Sequence, residues 1–279
     1  MITPGLIVAG NWKMNGIRAD LAQIEAVKAG IGSACTDSPA KSWRPWKTVK
    51  AGIGFSCTAG VWIFPPATLI HAAASLAAGS PLVVGAQDCH TADSGAFTGD
   101  LSAPILKDAG ATAVIVGHSE RRTGHGETSR TVRAKAAAAL KHGLTAVVCL
   151  GETKGEREAG LAPAVCTRQL TESLPEGSTP ANTVIAYEPV WAIGTGLQAT
   201  TDDITAIHAV LRTELGKRQT AGGQRWHILY GGSVNAANAA GIFQSAEVDG
   251  VLVGGASLNA SSFLAIISAA TQATERRRP

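Results

Sequence analysis

The sequence predicts a closed (β/α)8 barrel, an α/β fold in a single domain, and three observations predict it. Eight short apolar runs rich in β-branched residues recur along the chain, each bounded by glycine or a polar residue. Most of the intervals between them carry alanine-rich segments with helical spacing, so strands alternate with helices and pair in parallel through right-handed crossovers. The runs are also continuous in their apolarity. Ala113 to Gly117 (Ala-Val-Ile-Val-Gly) and Gly250 to Gly254 (Gly-Val-Leu-Val-Gly) have the pattern of strands buried on both faces.

In chain order the expected strands are Leu6 to Gly10, Val61 to Phe64, Leu82 to Gly85, Ala113 to Gly117, Thr145 to Leu150, Val184 to Tyr187, His227 to Tyr230 and Gly250 to Gly254. Thr131 to His142 and Asp203 to Gly216 are the clearest helices between them. An open doubly wound sheet is the competing architecture, but the dinucleotide fingerprint GxGxxG is missing after the first strand, where Gly10 is followed by Asn-Trp-Lys-Met-Asn. The interval between the first and second strands is longer than one helix and its loops require. Its surplus falls around residues 36–60, where turn residues surround Trp43 and Trp46. That stretch reads as a surface insertion packing its own aromatics, with a partner-binding surface as the other reading. Residues 275–279, Glu-Arg-Arg-Arg-Pro, read as a solvated, frayed tail.

With 279 residues and 45% hydrophobic content, the chain can bury one large core. Charged residues make up 16% and the net charge is +3, a balance that advertises neither nucleic acid nor an anionic membrane as partner. A small anionic ligand is compatible with it. The N-terminal apolar run Leu6 to Ala9 is too short for a secretory core or a membrane span, and a cytoplasmic protein is expected. The five cysteines, Cys35, Cys57, Cys89, Cys149 and Cys166, form no CxxC pair, which suggests reduced structural thiols.

Polar residues cluster just after the expected strands, the end at which such barrels keep their active sites. Asn11 and Lys13 follow the first strand, His118, Ser119 and Glu120 the fourth, Glu188 the sixth, Gly231, Gly232 and Ser233 the seventh, and Gly254 and Gly255 the eighth. Singly, each has an ordinary use: a solvated lysine, a hydrogen-bonded histidine, a capping or ion-pairing glutamate, a tight-turn glycine. Jointly they supply a base, a neutral electrophile, a fixed cation and two glycine-rich turns. That set suits proton abstraction beside a carbonyl on a substrate with a phosphate handle. No His/Asp/Glu set recurs at metal-ligand spacing, and no metal or organic cofactor is expected.

The segments Asn11 to Asn15 (Asn-Trp-Lys-Met-Asn), Gly117 to Arg122 (Gly-His-Ser-Glu-Arg-Arg), Ala186 to Gly196, Tyr230 to Val234 (Tyr-Gly-Gly-Ser-Val) and Gly254-Gly255 resemble the triosephosphate isomerase family, in the family's order and over nearly the whole chain. The resemblance implies a TIM barrel and the interconversion of dihydroxyacetone phosphate and glyceraldehyde 3-phosphate in glycolysis and gluconeogenesis. It implies that Glu188 is the general base, that His118 polarises the carbonyl as a neutral imidazole held down by the amides of the turn at Ser119 and Glu120, and that Lys13 supplies the fixed positive charge. Asn11 would bind substrate and help hold Lys13, while Ser233, Gly254 and Gly255 would bind phosphate through close backbone donors. Glu120 would be a supporting carboxylate for Lys13, with a part in proton shuttling as the other reading.

Pro189 to Ala199 is similar to the family's mobile lid, which places Gly194 against the substrate, although Leu197 and Gln198 depart from the residues frequent at its far hinge. Asp93 to Asp100 resembles the loop that enters a neighbouring subunit, which implies a homodimer formed through Phe97 and Thr98. Asp88 and Asp100 depart from the family's usual amide and glutamate. Two other functions stay open on the motifs alone: isomerisation of a four-carbon sugar phosphate on the same site, and phosphate-ligand binding without catalysis.

Overall fold

A computed structural model describes residues 5–32, 59–193, 197–218 and 224–277 of the chain. Eight parallel strands close into a barrel in sequence order: β1 (Ile7–Asn11), β2 (Gly60–Phe64), β3 (Val83–Ala86), β4 (Ala113–Val116), β5 (Thr145–Leu150), β6 (Thr183–Tyr187), β7 (His227–Tyr230) and β8 (Gly250–Val253). Closure comes from pairing of the first strand with the last, Ile7 with Gly250 through Gly10 with Val253.

Closure explains the continuous apolar runs. Successive side chains of a strand point to opposite faces, and here both faces are covered. Ile7, Ala9, Trp62, Phe64, Ile115, Val147, Cys149, Ala186, Leu229 and Leu252 fill the interior. Their neighbours Val8, Val61, Ile63, Val114, Val116, Val148 and Ile185 pack outward against the helices. Burial of each such aliphatic side chain contributes roughly 1.5–3 kcal/mol.

The outer layer includes α1 (Leu21–Ile31), α2 (Ile70–Ala77), α3 (Ala103–Asp108), α4 (Ser119–Gly124), α5 (Ser129–Lys141), α6 (Lys154–Glu158), α7 (Ala162–Ser173), α8 (Thr201–Gly216), α9 (Ala239–Ile242) and α10 (Ala260–Arg276). The helices expected from Thr131 and Asp203 begin two residues earlier in each case. Hydroxyl caps set these starts: Thr128 accepts from Thr131 N at 3.2 Å, and Thr200 forms a capping box with Asp203. None of the described helices is long and apolar enough to cross a membrane.

Two expected boundaries change. β1 runs on through Asn11, which pairs with Phe64, so the first polar residue of the site belongs to the ladder itself. The tail expected to fray from Glu275 is instead helical through Arg276. The Arg277 guanidinium donates to the carbonyls of Val248, Phe243 and Ser245 at 3.0, 2.7 and 2.6 Å, which gives this end a partner that composition does not disclose. Of the expected insertion, Ala59 and Gly60 lead into and open β2, and the remainder, with Trp43 and Trp46, lies outside the described residues.

Candidate active site

The C-terminal ends of five strands converge on one cleft. Asn11, Lys13, His118 and Glu188 line it, with Gly231, Gly232 and Gly254 opposite and Leu252 between. Lys13 is held there by hydrogen bonds against a backbone strain. Among the described residues it is the non-glycine residue with positive φ, 54°, a conformation that costs on the order of 1–2 kcal/mol. Its N–H donates to Asn11 Oδ1 at 3.0 Å, and its carbonyl accepts from Gln87 Nε2 at 2.8 Å. The same Gln87 nitrogen reaches the Phe64 carbonyl at 2.9 Å, tying this turn to the end of β2. At its tip, Lys13 Nζ pairs with Glu120, whose own side chain is 55% exposed.

His118 is the N-cap of α4. Its Nδ1 accepts from Glu120 N at 3.2 Å, so that nitrogen carries a lone pair and the ring proton belongs on Nε2. Nε2 stands 2.9 Å from Glu188 Oε1, and the other carboxylate oxygen accepts from Ser119 N at 2.9 Å. Both side chains are buried, at 7% and 1% exposure. Burial alone would push the Glu188 carboxyl up, but His118, the Ser119 amide and Lys13 outweigh it and hold the group below its ordinary value. Burial likewise opposes protonation of His118, yet the adjacent Glu188, with Glu120 behind it, raises the imidazole above its ordinary value. The expectation that the turn amides hold His118 down is therefore corrected while Glu188 stands against it. One of those amides, that of Ser119, is given to Glu188, and the remaining one does not offset the carboxylate.

Of the other residues singled out in sequence, Ser233 is exposed and lies one position past the cleft-lining Gly232, its carbonyl accepting from Asn238 Nδ2 at 2.9 Å. Gly255, also exposed, opens the short turn Gly255–Ser257 directly after Gly254. Gly194 lies outside the described residues. In the loop Asp93 to Asp100, Phe97 is 46% exposed and stacks on His90 with ring centroids 4.1 Å apart. Asp93 anchors the loop to Lys141 at 2.5 Å and to His142 at 2.8 Å. Asp88 lies 2.7 Å from Lys135 Nζ through both oxygens and 2.9 Å from Arg121 Nη2, so its charge is met by cations.

Sequence reasoning missed three supporting groups. Gln87 is one. Arg122 is another, donating to the carbonyls of Gly117 and Cys149 at 2.9 and 3.0 Å and to Ser173 Oγ at 3.1 Å, which locks α4 to the ends of β4 and β5. Glu152, fully buried, is the third. It accepts from Tyr187 Oη at 3.1 Å and from Trp191 Nε1 at 2.8 Å, and Arg157 covers the Trp191 ring at 4.6 Å. Trp191 belongs to the short turn Val190–Ala192 that follows Glu188 and Pro189. Glu152 had a readable signal, since it follows the fifth strand as the site residues follow theirs.

This chain is similar to proteins of known kind over nearly its whole length. The family model described as triosephosphate isomerase matches residues 6–270. A triosephosphate isomerase of Afipia carboxidovorans is 52% identical over 94% of this chain and 96% of its own, and one of Xanthobacter flavus is 51% identical over 94% and 96%. The crystal structure of triosephosphate isomerase from Bartonella henselae superposes with a TM-score of 0.80 at 41% identity, covering 95% of this chain and 98% of that one.

Proposed function

Because this chain belongs to the triosephosphate isomerase family, we propose that it interconverts dihydroxyacetone phosphate and glyceraldehyde 3-phosphate, with Glu188 as the base, His118 as the electrophile and Lys13 as the fixed cation. The observation that carries the reading is the meeting of these three side chains in one cleft, with both carboxylate oxygens of Glu188 engaged by neighbours.

Held by His118 and the Ser119 amide, Glu188 is a weak base. A substrate carbonyl placed between the carboxylate and the imidazole takes over the Nε2 proton and separates the two groups. Burial then raises the basicity that His118 had been suppressing. Glu188 removes a proton from the carbon beside the carbonyl and returns it to the neighbouring carbon. His118 donates its Nε2 proton toward the developing oxyanion, and the Glu120 amide on Nδ1 fixes the tautomer that can do so. Lys13, fixed in its strained backbone conformation by Asn11 and Gln87, contributes positive charge to the oxyanion and the phosphate. Asn11 supports Lys13 through its main-chain N–H. Gly232, Gly254 and Gly255 give a phosphate backbone donors that no Cβ obstructs, and Ser233 adds its own main-chain N–H beside them. Gly194, which lies outside the described residues, is proposed as a substrate contact on its resemblance to the family's lid.

We extend the proposal to the assembly, a homodimer formed through the loop around Phe97 and Thr98. The exposure of Phe97, and of Met14 and Ile17 beside the Lys13 turn, at 97% and 71%, supports an apolar surface suited to a second copy. Glycolysis and gluconeogenesis are the pathways in which the family's reaction stands, and the cytoplasm, where they run, is the compartment proposed.

The test is the isomerisation rate of the purified protein on glyceraldehyde 3-phosphate, beside a four-carbon sugar phosphate and with a chelator present. Fast, chelator-insensitive turnover that favours the triose is expected, with kcat/KM toward about 10⁸ M⁻¹s⁻¹. Preference for the tetrose would change the substrate, and no turnover on either would remove the catalytic reading.

A further inference from the structure

Glu188 is useful only if its main chain is held still, and that main chain rests on a residue without a side chain. Gly151 follows β5 as Glu188 follows β6. The Glu188 N–H donates to the Leu150 carbonyl at 2.7 Å, and Val190 N donates to the Glu152 carbonyl at 3.1 Å, so pairing continues past both strands with Gly151 between the two contacts. A Cβ on Gly151 would stand 1.7 Å from the Glu188 carbonyl oxygen and 2.6 Å from its carbonyl carbon. No contact of that kind is tolerated, and backbone offers no rotamer by which to escape it. Gly151 has an ordinary negative or extended φ, so close approach is the reason for glycine here.

The other side of Gly151 is clamped. Its N–H donates to Gln169 Oε1 at 2.9 Å, and its carbonyl accepts from Gln169 Nε2 at 3.0 Å. A primary amide on α7 thus offers the donor and the acceptor that a neighbouring strand would offer. We infer that Gln169 and Gly151 are positioning residues for the reaction, Gln169 fixing the Gly151 peptide and Gly151 fixing the main chain of Glu188. The inference rests on the reading of Glu188 as the base.

Its test uses three variants of the whole chain, measured for kcat, KM, inhibition by inorganic phosphate and thermal stability. Gln169→Met keeps the volume and removes both hydrogen bonds. It is expected to lower kcat about tenfold while KM and the phosphate inhibition constant stay within about twofold, because phosphate is held at the ends of β7 and β8. Gln169→Glu keeps the acceptor but, when ionised, turns a carboxylate toward the Gly151 carbonyl. When protonated it can donate again, so its kcat relative to the unmodified protein is expected to climb as pH falls from about 8 to about 5. Gly151→Ala is expected to lose about 10²-fold in kcat, the scale of a 1 Å misplacement. Should that variant fail to fold, the two Gln169 variants decide alone.

Wild-type kcat in Gln169→Met, or a pH-independent ratio in Gln169→Glu, would overturn the inference even if the melting temperature falls, since the clamp would then be merely structural. Glu188→Gln is measured alongside. Retained turnover there would remove the base and the inference with it, whereas its loss together with full activity in Gln169→Met would remove the clamp alone.

Discussion

Glu188 Oε1 and His118 Nε2 stand 2.9 Å apart, so a shortened base loses reach before anything else. Glu188→Asp withdraws the carboxylate by about a methylene, and turnover should fall roughly 10²–10³-fold with KM changed less than about threefold. Steady-state kinetics checks this, and unchanged kcat would take the role from Glu188. A second residue sets a pH dependence far from the cleft. His208 is fully buried on α8, its Nδ1 donating to the Glu247 carbonyl at 3.1 Å and its Nε2 lacking a hydrogen-bond partner among the described residues. Burial pushes the imidazole down from 6.5 to about 4. The unfolded chain therefore binds a proton that the folded chain refuses, and stability declines as pH falls through this window. Below it the loss from this residue reaches on the order of 3 kcal/mol. Urea unfolding of His208→Gln should show a flatter acid limb between those two values, and an unchanged limb would acquit His208. Asn11, Lys13, His118 and Glu188 were legible in sequence because each lies at or just after the C-terminal end of an apolar run. Gln87, Arg122 and Gln169 were not, because their work is done by reaching across to another segment's main chain, and linear order carries no trace of that contact.

At the scale of elements, strands were easier to read than helix starts. β5 and β7 agree with the expected Thr145 to Leu150 and His227 to Tyr230, since closed-barrel strands announce themselves by apolarity on both faces. The helices α5 and α8 began early because Thr128 and Thr200 supply caps, a side-chain contribution that apolar spacing does not register. Thr200 also directly follows the expected lid, and Asp203 in the same box pairs with Arg157, which covers Trp191 at the lid's near end. Thr200→Ala should cost about 1 kcal/mol of stability by denaturant unfolding, through loss of the cap. A variant as stable as the parent would show that the Asp203 to Arg157 pair holds α8 without it.

For the whole molecule, the eight parallel strands and their closure followed from the alternation of runs and helices, while the fate of the last turn did not. Residues 275–277 look solvated by composition, yet Arg277 reaches three carbonyls around the approach to β8. Assembly is also decided at this scale. Phe97→Glu should shift the protein from dimer to monomer by sedimentation at micromolar concentration. It should lower activity in step, since the exposed Met14 and Ile17 beside the Lys13 turn would lose the cover of the proposed second copy. A fully active dimer would relocate the interface.

The seam between β1 and β8 joins the barrel strand that is synthesised earliest to the barrel strand that is synthesised last. On a ribosome, the edge of β1 meets its final neighbour only after Gly250 to Val253 have emerged, so for most of translation the nascent sheet keeps two unsatisfied edges. Chains interrupted before Gly250 would carry those edges permanently, each a template for pairing with another chain. Closure is thus a check on the set of strands as well as an architecture: only a chain that carries both β1 and β8 leaves no edge of the barrel open.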